Sequence, residues 1–252
     1  MGRWMRLPIE ASAHAQAVDH MITRVHWLIG GLGLLFGLFF LFCLIRFNRR
    51  AHPGASYRNV SPRIAWIFLG AVTAVELWEL FFVAIPLWAS RVSNFPSAPQ
   101  ATVIRVVSEQ FAWNIHYPGP DGKFGRTDIT LIKPDNPLGL DRTDQDAKDD
   151  IFTINEFYFP IGKPVLVRLT SKDVIHSFSL PQMRIKQDAI PGLTIPVWFV
   201  PIVATPDGET WDINCSQLCG LGHYRMRGLY RSMTQADFDQ FIKELAAVQI
   251  GS

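Results

Sequence analysis

A twelve-residue stretch near the C-terminus combines two thiols, an imidazole and a thioether. It contains Cys215, Cys219, His223 and Met226. Soft sulfur and imidazole ligands suit copper, and a methionine beside cysteine and histidine argues against zinc. A mononuclear blue-copper site would use a single cysteine, whereas two thiolates four positions apart can bridge a pair of copper ions. The pattern predicts a binuclear copper site, with a Cys215–Cys219 disulfide as the alternative.

A further imidazole follows the apolar strand predicted at Pro164–Leu169. This is His176, and with it the ligand set resembles that of subunit II of the haem-copper oxidases, the cytochrome c oxidase family. In that family a distant histidine and a C-x-x-x-C-x-x-x-H-x-x-M run build the binuclear copper-A centre. The resemblance covers nearly the whole chain, including two membrane helices, the aromatic segment Gln110–Trp113 and the segment Asp188–Gly192.

The resemblance implies a role for each ligand. Two cysteines would bridge the copper ions, a histidine and a methionine would complete one ion, and a histidine and a main-chain oxygen would complete the other. The bridging cysteines would be Cys215 and Cys219. His176 and Met226 would complete one copper ion, and His223 and the main-chain oxygen of Gln217 would complete the other.

Gln217 departs from the family pattern. Many members have glutamate there, and its side chain also holds a magnesium ion at the contact with subunit I. Gln217 keeps the carbonyl but lacks the anionic oxygen that a hard divalent cation prefers. Copper binding is expected to survive, whereas the magnesium site is doubtful.

The aromatic segment suggests where electrons enter. In many relatives both aromatic positions are tryptophan, and the first is the exposed residue opposite the haem edge of the cytochrome. Alignment on Gln110 gives that role to Phe111, while Trp113 matches the second, more buried tryptophan. Alternatively, both rings fill the core, because strand alternation puts these positions on one face.

The composition indicates a membrane anchor. Of 252 residues, 48% are hydrophobic and only 18% are charged, which is apolar for a soluble enzyme. Val25–Ile45 carries no charge, and at ~1.5 Å per residue it reaches across a ~30 Å hydrocarbon core. Ile64–Trp88 is a second apolar stretch, interrupted by Glu76 and Glu79. A transmembrane helical hairpin is therefore predicted at residues 25–90.

Charge in the loop between the spans predicts the orientation. Five arginines and no acidic residue occupy it, so the positive-inside rule places this loop in the cytoplasm. Residues 1–24 then form an outer segment, without a recognisable signal peptide. Both termini and the copper domain would face the outer, periplasmic side of a bacterial-type inner membrane.

Glu76 and Glu79 are ionisable residues inside a span, which makes them functional candidates. The two residues are three positions apart and therefore lie on the same side of the helix, which is expected to contact subunit I. The relatives' proton-admitting glutamate lies near the cytoplasmic start of this helix, where this chain has no acid. A role in a proton path and plain interhelical hydrogen bonding both remain open.

Residues 101–252 are predicted to form an all-β domain with a C-terminal amphipathic helix after Thr234. Short β-rich runs separated by proline, glycine and aspartate indicate a sandwich or barrel, and the resemblance implies the cupredoxin version. The predicted strands are Thr102–Val107, Phe111–His116, Ile151–Ile154, Pro164–Leu169, Val197–Val200 and Thr210–Asn214. An acidic insertion at Asp135–Asp150 is either a docking surface for a basic cytochrome or a solvated loop.

The leading functional hypothesis is a subunit of a respiratory haem-copper oxidase, in which copper accepts electrons and passes them to haem in subunit I for oxygen reduction. The chain has no C-x-x-C-H motif, so a separate cytochrome c or cytochrome c domain would be the donor. Without a haem-binding bundle, oxygen chemistry requires subunit I and further oxidase subunits. The alternatives are the copper-A subunit of a nitric oxide reductase and a membrane-tethered copper carrier. No nucleic-acid partner is expected.

Overall fold

The computed structural model describes residues 6–50, 53–54 and 61–250, which divide into two units. The helical unit lies within Ala17–Ser90. The β unit contains Leu7–Gln16 and the chain from Arg91 to the C-terminal helix.

Within the described residues, two helical segments are long and apolar enough to cross a membrane, as the sequence predicts. The first is α1, Ala15–Arg46, which begins ten residues before the predicted span. The second contains α2, Pro62–Glu79, a π-helical turn at Leu80–Ala84, and α3, Ile85–Val92.

The π-helical turn has a cause in the sequence. Pro86 has no amide hydrogen, and its ring would clash with the carbonyl four residues earlier in a regular helix. The turn ends one residue before Ile85, whose N–H bonds to the carbonyl of Leu80 instead. This widened turn lets the helix continue past the proline.

The β unit is a sandwich of two five-stranded sheets, with orders β3-β2-β1-β5-β8 and β4-β10-β9-β6-β7. Most neighbours are antiparallel, while β1 with β5 and β4 with β10 are parallel. The strands are β1 Thr102–Glu109, β2 Ala112–Tyr117, β3 Ile151–Ile154, β4 Glu156–Pro160, β5 Val165–Ser171, β6 His176–Leu180, β7 Ile185–Ala189, β8 Ile195–Phe199, β9 Trp211–Cys215 and β10 Arg227–Met233.

Alternation along the strands places large side chains between the sheets. On β1, Ile104 and Val106 are fully buried while Arg105 and Val107 lie on the outer face. Aromatic rings fill the centre at edge-to-face or tilted angles, a favourable geometry for such pairs. The largest buried rings are Trp113, Tyr117, Phe157, Phe159, Phe178, Phe199 and Tyr230.

The six predicted strands correspond to β1, β2, β3, β5, β8 and β9, and no end differs from its predicted position by more than two residues. Four strands, β4, β6, β7 and β10, were not predicted. β4, β7 and β10 contain charged, glycine or proline residues, and β4, β6 and β7 are only five residues long, which gives little periodicity.

The N-terminal segment is divided between the two units. Ala13 donates its N–H to the carbonyl of Val200 at 2.9 Å, and Ile202 donates to the carbonyl of Ala11 at 2.9 Å. Ser12 also donates its hydroxyl to the carbonyl of Met183 at 2.8 Å. Residues 7–16 therefore pack on the sandwich, whereas residues 17–24 belong to α1 and to the helical unit.

The C-terminal helix is confirmed as α4, Gln235–Ile250. The hydroxyl of Thr234 accepts the N–H of Asp237 at 3.2 Å, which caps the first turn. Phe241 packs on the rings of Tyr117 and Tyr158, so the apolar face of α4 covers β2 and β4.

The acidic insertion is held by bonds to the segment that precedes it and to β2. Arg126 donates to Asp141 at 2.6 Å, and its main-chain N–H donates to Asp144 at 2.7 Å. Asp150 is fully buried, accepting from His116 and from the N–H of Gly125, both at 2.8 Å. These carboxylates stabilise the insertion itself, which reduces the charge available for a docking partner.

Candidate metal centre

Sheet topology brings the predicted ligands together at one end of the sandwich. His176 is the first residue of β6 and Cys215 is the last residue of β9. These strands are antiparallel neighbours, with Phe178 opposite Cys215, so the two ligands lie side by side. The loop from β9 to β10 carries the remaining ligands, ending with Met226 immediately before β10.

The distances between ligand atoms show two overlapping groups. In the first, His176 Nδ1 lies 3.1 Å from Met226 Sδ and 3.9 Å from Cys215 Sγ. In the second, Cys219 Sγ lies 3.5 Å from His223 Nδ1, and the Gln217 carbonyl lies 3.2 Å from Cys215 Sγ.

The two thiols lie between these groups. Cys215 Sγ and Cys219 Sγ are 3.7 Å apart, and both cysteines are free rather than joined in a disulfide. Cys219 Sγ is also 3.7 Å from Met226 Sδ. The atoms His176 Nδ1, Cys215 Sγ and Cys219 Sγ all lie within 4.8 Å of one another, close enough to share a metal site.

The two thiols have opposite tendencies to ionise. Burial raises the pKa of Cys215, but hydrogen bonds from His176 and from the main chain at Ser177 outweigh it and bring the pKa below the usual range. Burial and the neighbouring Cys215 raise the pKa of Cys219. The pair therefore holds one thiolate readily, and a cation is needed to stabilise the second.

His176 is oriented by a carboxylate. Its Nε2 lies 2.9 Å from Asp173 Oδ1, which leaves Nδ1 directed at the sulfur ligands. Asp173 is itself fixed, since Oδ2 accepts the N–H of Gln110 at 2.7 Å and Oδ1 accepts the N–H of Val174 at 2.6 Å. A carboxylate that holds the outer nitrogen of a ligating histidine sets the tautomer and the ring plane.

Phe111 lies against the copper loop, just before β2. A Cβ on Gly222 would come within 2.5 Å of its ring, so glycine is required for this close approach. The guanidinium of Arg225 lies 5.8 Å from the ring centre, and the adjacent Gln110 side chain donates to the carbonyl of Cys219 at 2.6 Å.

Trp113 occupies a different environment from Phe111. It is fully buried between the sheets, with its ring centre 5.3 Å from Phe178 and 6.2 Å from His176. Phe111 lies in the turn before β2 and Trp113 lies on β2. The two rings therefore occupy different environments, although the residues are only two positions apart in the sequence.

The sequence interpretation did not identify Asp173 and Gln110 as parts of the site. A carboxylate three residues before a predicted ligand is a usable signal for Asp173. Gln110 gave no such signal, because its contacts with Asp173 and Cys219 span 63 and 109 residues.

Glu76 and Glu79 belong to the helical unit, on α2. Glu79 is half-buried and has Arg24 of α1 at 4.0 Å, while Glu76 is exposed on the helix.

Two free thiols, two imidazoles and a thioether at the end of a β-sandwich, attached to two membrane-type helices, define a membrane-anchored, cupredoxin-like metal-binding protein. Residues 102–232 match the family model described as the periplasmic domain of cytochrome c oxidase subunit II. The chain belongs to the cytochrome c oxidase subunit II family.

Curated relatives agree with this assignment. The alternative cytochrome c oxidase subunit 2 of Bradyrhizobium diazoefficiens is 31% identical over 90% of this chain and 79% of the relative. Cytochrome c oxidase subunit 2 of a Synechocystis species is 30% identical over 94% of this chain and 74% of the relative.

Among solved structures, the periplasmic domain of subunit II of cytochrome oxidase from Bradyrhizobium japonicum is 28% identical, with a TM-score of 0.42. That match covers 59% of this chain and 96% of the other. The family binds copper and contributes to haem-copper oxidases, so this chain is a subunit of an oxidoreductase complex.

Proposed function

We propose that this chain is the subunit through which electrons enter a respiratory haem-copper oxidase. A separate cytochrome c, or a cytochrome c domain, donates electrons to a binuclear copper-A centre in the β unit, and haem in subunit I receives them. The convergence of the ligands supports this proposal. They are His176, Cys215, Gln217, Cys219, His223 and Met226.

The residues fit a pair of copper ions. The thiols are close enough for each sulfur to contact two ions, and a different nitrogen and a different third donor lie on either side. Such a centre supplies one-electron transfer with little rearrangement of its ligands. Asp173 holds His176 in position, and Gln110 holds the Cys219 carbonyl, so the loop is already shaped for the metal.

Three of the six ligands are buried, Cys215 and His223 are half-buried and Gln217 is exposed, and the three buried ligands favour a centre that retains its metal over a copper carrier. The exposed fractions are 0% for His176, 4% for Cys219 and 3% for Met226. A carrier must hand its metal to a partner, which requires ligands that the partner can reach.

We propose a periplasmic position for the β unit and a cytoplasmic one for the loop between the membrane helices, on the charge pattern of that loop. On this orientation, Phe111 beside the copper loop is the first contact of the donor, and Trp113 supports the loop from within. Arg24 beside Glu79 favours an interhelical contact for that glutamate, and Glu76 remains the candidate for a proton path.

Rapid mixing of the purified oxidase complex with reduced cytochrome c tests the proposal. In the wild type, the copper absorption should change before the haem of subunit I is reduced. Cys219→Ser should abolish the copper phase and slow haem reduction by orders of magnitude. Haem reduction at the wild-type rate in an assembled Cys219→Ser complex would rule out this route. Turnover measured separately with oxygen and with nitric oxide identifies the terminal electron acceptor.

A further inference from the structure

A row of three basic residues crosses the outer face of the sheet that contains β1. Arg105 on β1 is in register with His116 on β2 and with Arg168 on β5. Adjacent strands are ~4.8 Å apart, so the two guanidinium groups start from neighbouring positions on the same face. Like charges directly opposite on paired strands destabilise a sheet.

Neither arginine forms an ion pair with a carboxylate in the part of the chain that the structure describes, although the charge of Asp150 acts on Arg105. The guanidinium of Arg105 lies 4.2 Å from the ring centre of Phe124. Burial and the charge of Arg168 lower the pKa of Arg105, and Asp150 only partly opposes this. His116 is occupied by its bond to Asp150. The arginines therefore have unused hydrogen-bond donors.

A cavity of about 580 Å³ lies over this row, between the sheet and residues 127–138. Its polar wall contains the two arginines and the hydroxyl-bearing Thr127 and Thr170. Its apolar wall is formed by Ile129, Ile132 and Leu138. A volume of this size and a wall of this kind suit a small molecule with one anionic end.

The other charged groups at the cavity are already paired or bonded. Lys172 forms an ion pair with Glu109 at 2.7 Å. Asp128 accepts the N–H and the hydroxyl of Thr130 at 2.8 and 2.7 Å. The negative charge of Asp128 opposes an anion on its side, which leaves the arginine wall as the place for one.

We propose that this cavity binds a phosphate ester, with the phosphate between Arg105 and Arg168 and the apolar group against Ile129 and Ile132. Guanidinium groups bind phosphate oxygens through paired N–H donors. A phosphate also accepts more bonds than a carboxylate, which matches two arginines flanked by threonine hydroxyls.

Calorimetric titration of the full chain in phosphatidylcholine nanodiscs with phenyl phosphate and with inorganic phosphate tests this site. Phenyl phosphate should bind more tightly than inorganic phosphate. Arg168→Gln and Arg105→Gln should each weaken both by at least about tenfold. The control is Lys186→Gln, which removes a positive charge from exposed β7 and should change neither affinity.

A variant of the apolar wall tests the second half of the proposal. Ile129 is 82% exposed, so Ile129→Ser leaves the fold intact. It should weaken phenyl phosphate and leave inorganic phosphate unchanged. Absence of phenyl phosphate binding to the wild type, or equal binding by wild type and Arg168→Gln, would overturn the site.

The source of the phosphate is distinguished by lipid composition. Weaker phenyl phosphate binding in phosphatidylglycerol nanodiscs than in phosphatidylcholine nanodiscs, at a salt concentration that screens the charge of the bilayer surface, would identify a lipid headgroup as the occupant. Equal affinity in both would identify a soluble ester.

Discussion

At the scale of single residues, Asp173 is the residue that positions the ligand His176. It touches no ligand sulfur, yet it fixes the ring of His176 and is fixed by two main-chain N–H groups. Loss of such an outer partner costs about 10–100-fold in metal affinity. We expect Asp173→Asn to bind copper but to lose it at about 10–100-fold lower chelator concentration.

Chelator competition on the purified full chain measures this effect. The matched control is Asp207→Asn, which removes a carboxylate from an exposed turn. Equal retention by Asp173→Asn and the control would show that the carboxylate does not position His176.

Phe111 and Trp113 should separate electron transfer from stability. Phe111→Ala removes a half-buried ring beside the copper loop and should slow reduction by cytochrome c while leaving the copper spectrum unchanged. Trp113→Ala empties the core next to His176 and should cost about 3–5 kcal/mol of unfolding free energy. Stopped-flow reduction and denaturant unfolding measure the two effects. A normal reduction rate in Phe111→Ala at low and high salt would remove Phe111 from the path.

Gln217 allows a test of the magnesium site that the resemblance implies at the contact with subunit I. A neutral amide binds a hard cation less well than a carboxylate. An oxidase complex grown with manganese should therefore show no bound manganese at this position, and Gln217→Glu should introduce it. A six-coordinate manganese signal in the wild type would show that other ligands compensate.

At the scale of elements, the insertion after β2 is attached to the sheet through a buried histidine and carboxylate. Burial lowers the pKa of His116, and its bond to Asp150 opposes this only in part. The folded protein therefore holds His116 neutral, and the unfolded chain binds the proton more readily. Stability should fall as the pH decreases below the unfolded histidine pKa of about 6.5.

Thermal unfolding between pH 7 and pH 5 measures this dependence. His116→Gln should reduce the loss of stability on acidification, because it removes one group that must be protonated. His14 is also buried with its pKa lowered to about 4, so part of the dependence should remain. An identical pH dependence in His116→Gln would show that the pair does not contribute.

The sequence was most informative where a local pattern of residue types, such as a long apolar run, corresponds to one kind of secondary structure. Long apolar spans predicted both membrane helices, and short runs rich in β-branched residues predicted β1 and β5. The strands β6 and β7 were not visible, because polar residues occupy positions that the sheet partners later cover. The ligand types could be predicted from the C-terminal motif, but the support from Gln110 depends on contacts between distant parts of the chain.

At the scale of the whole molecule, the central claim is that the β unit holds two copper ions bridged by two thiolates. Metal analysis with electron paramagnetic resonance of the copper-loaded full chain tests it most directly. We expect two copper ions per chain and one unpaired electron shared by both. Cys43→Ser on α1 should keep that spectrum, and Cys215→Ser should lose it. A single copper per wild-type chain, or an intact two-copper spectrum in Cys215→Ser, would contradict the account.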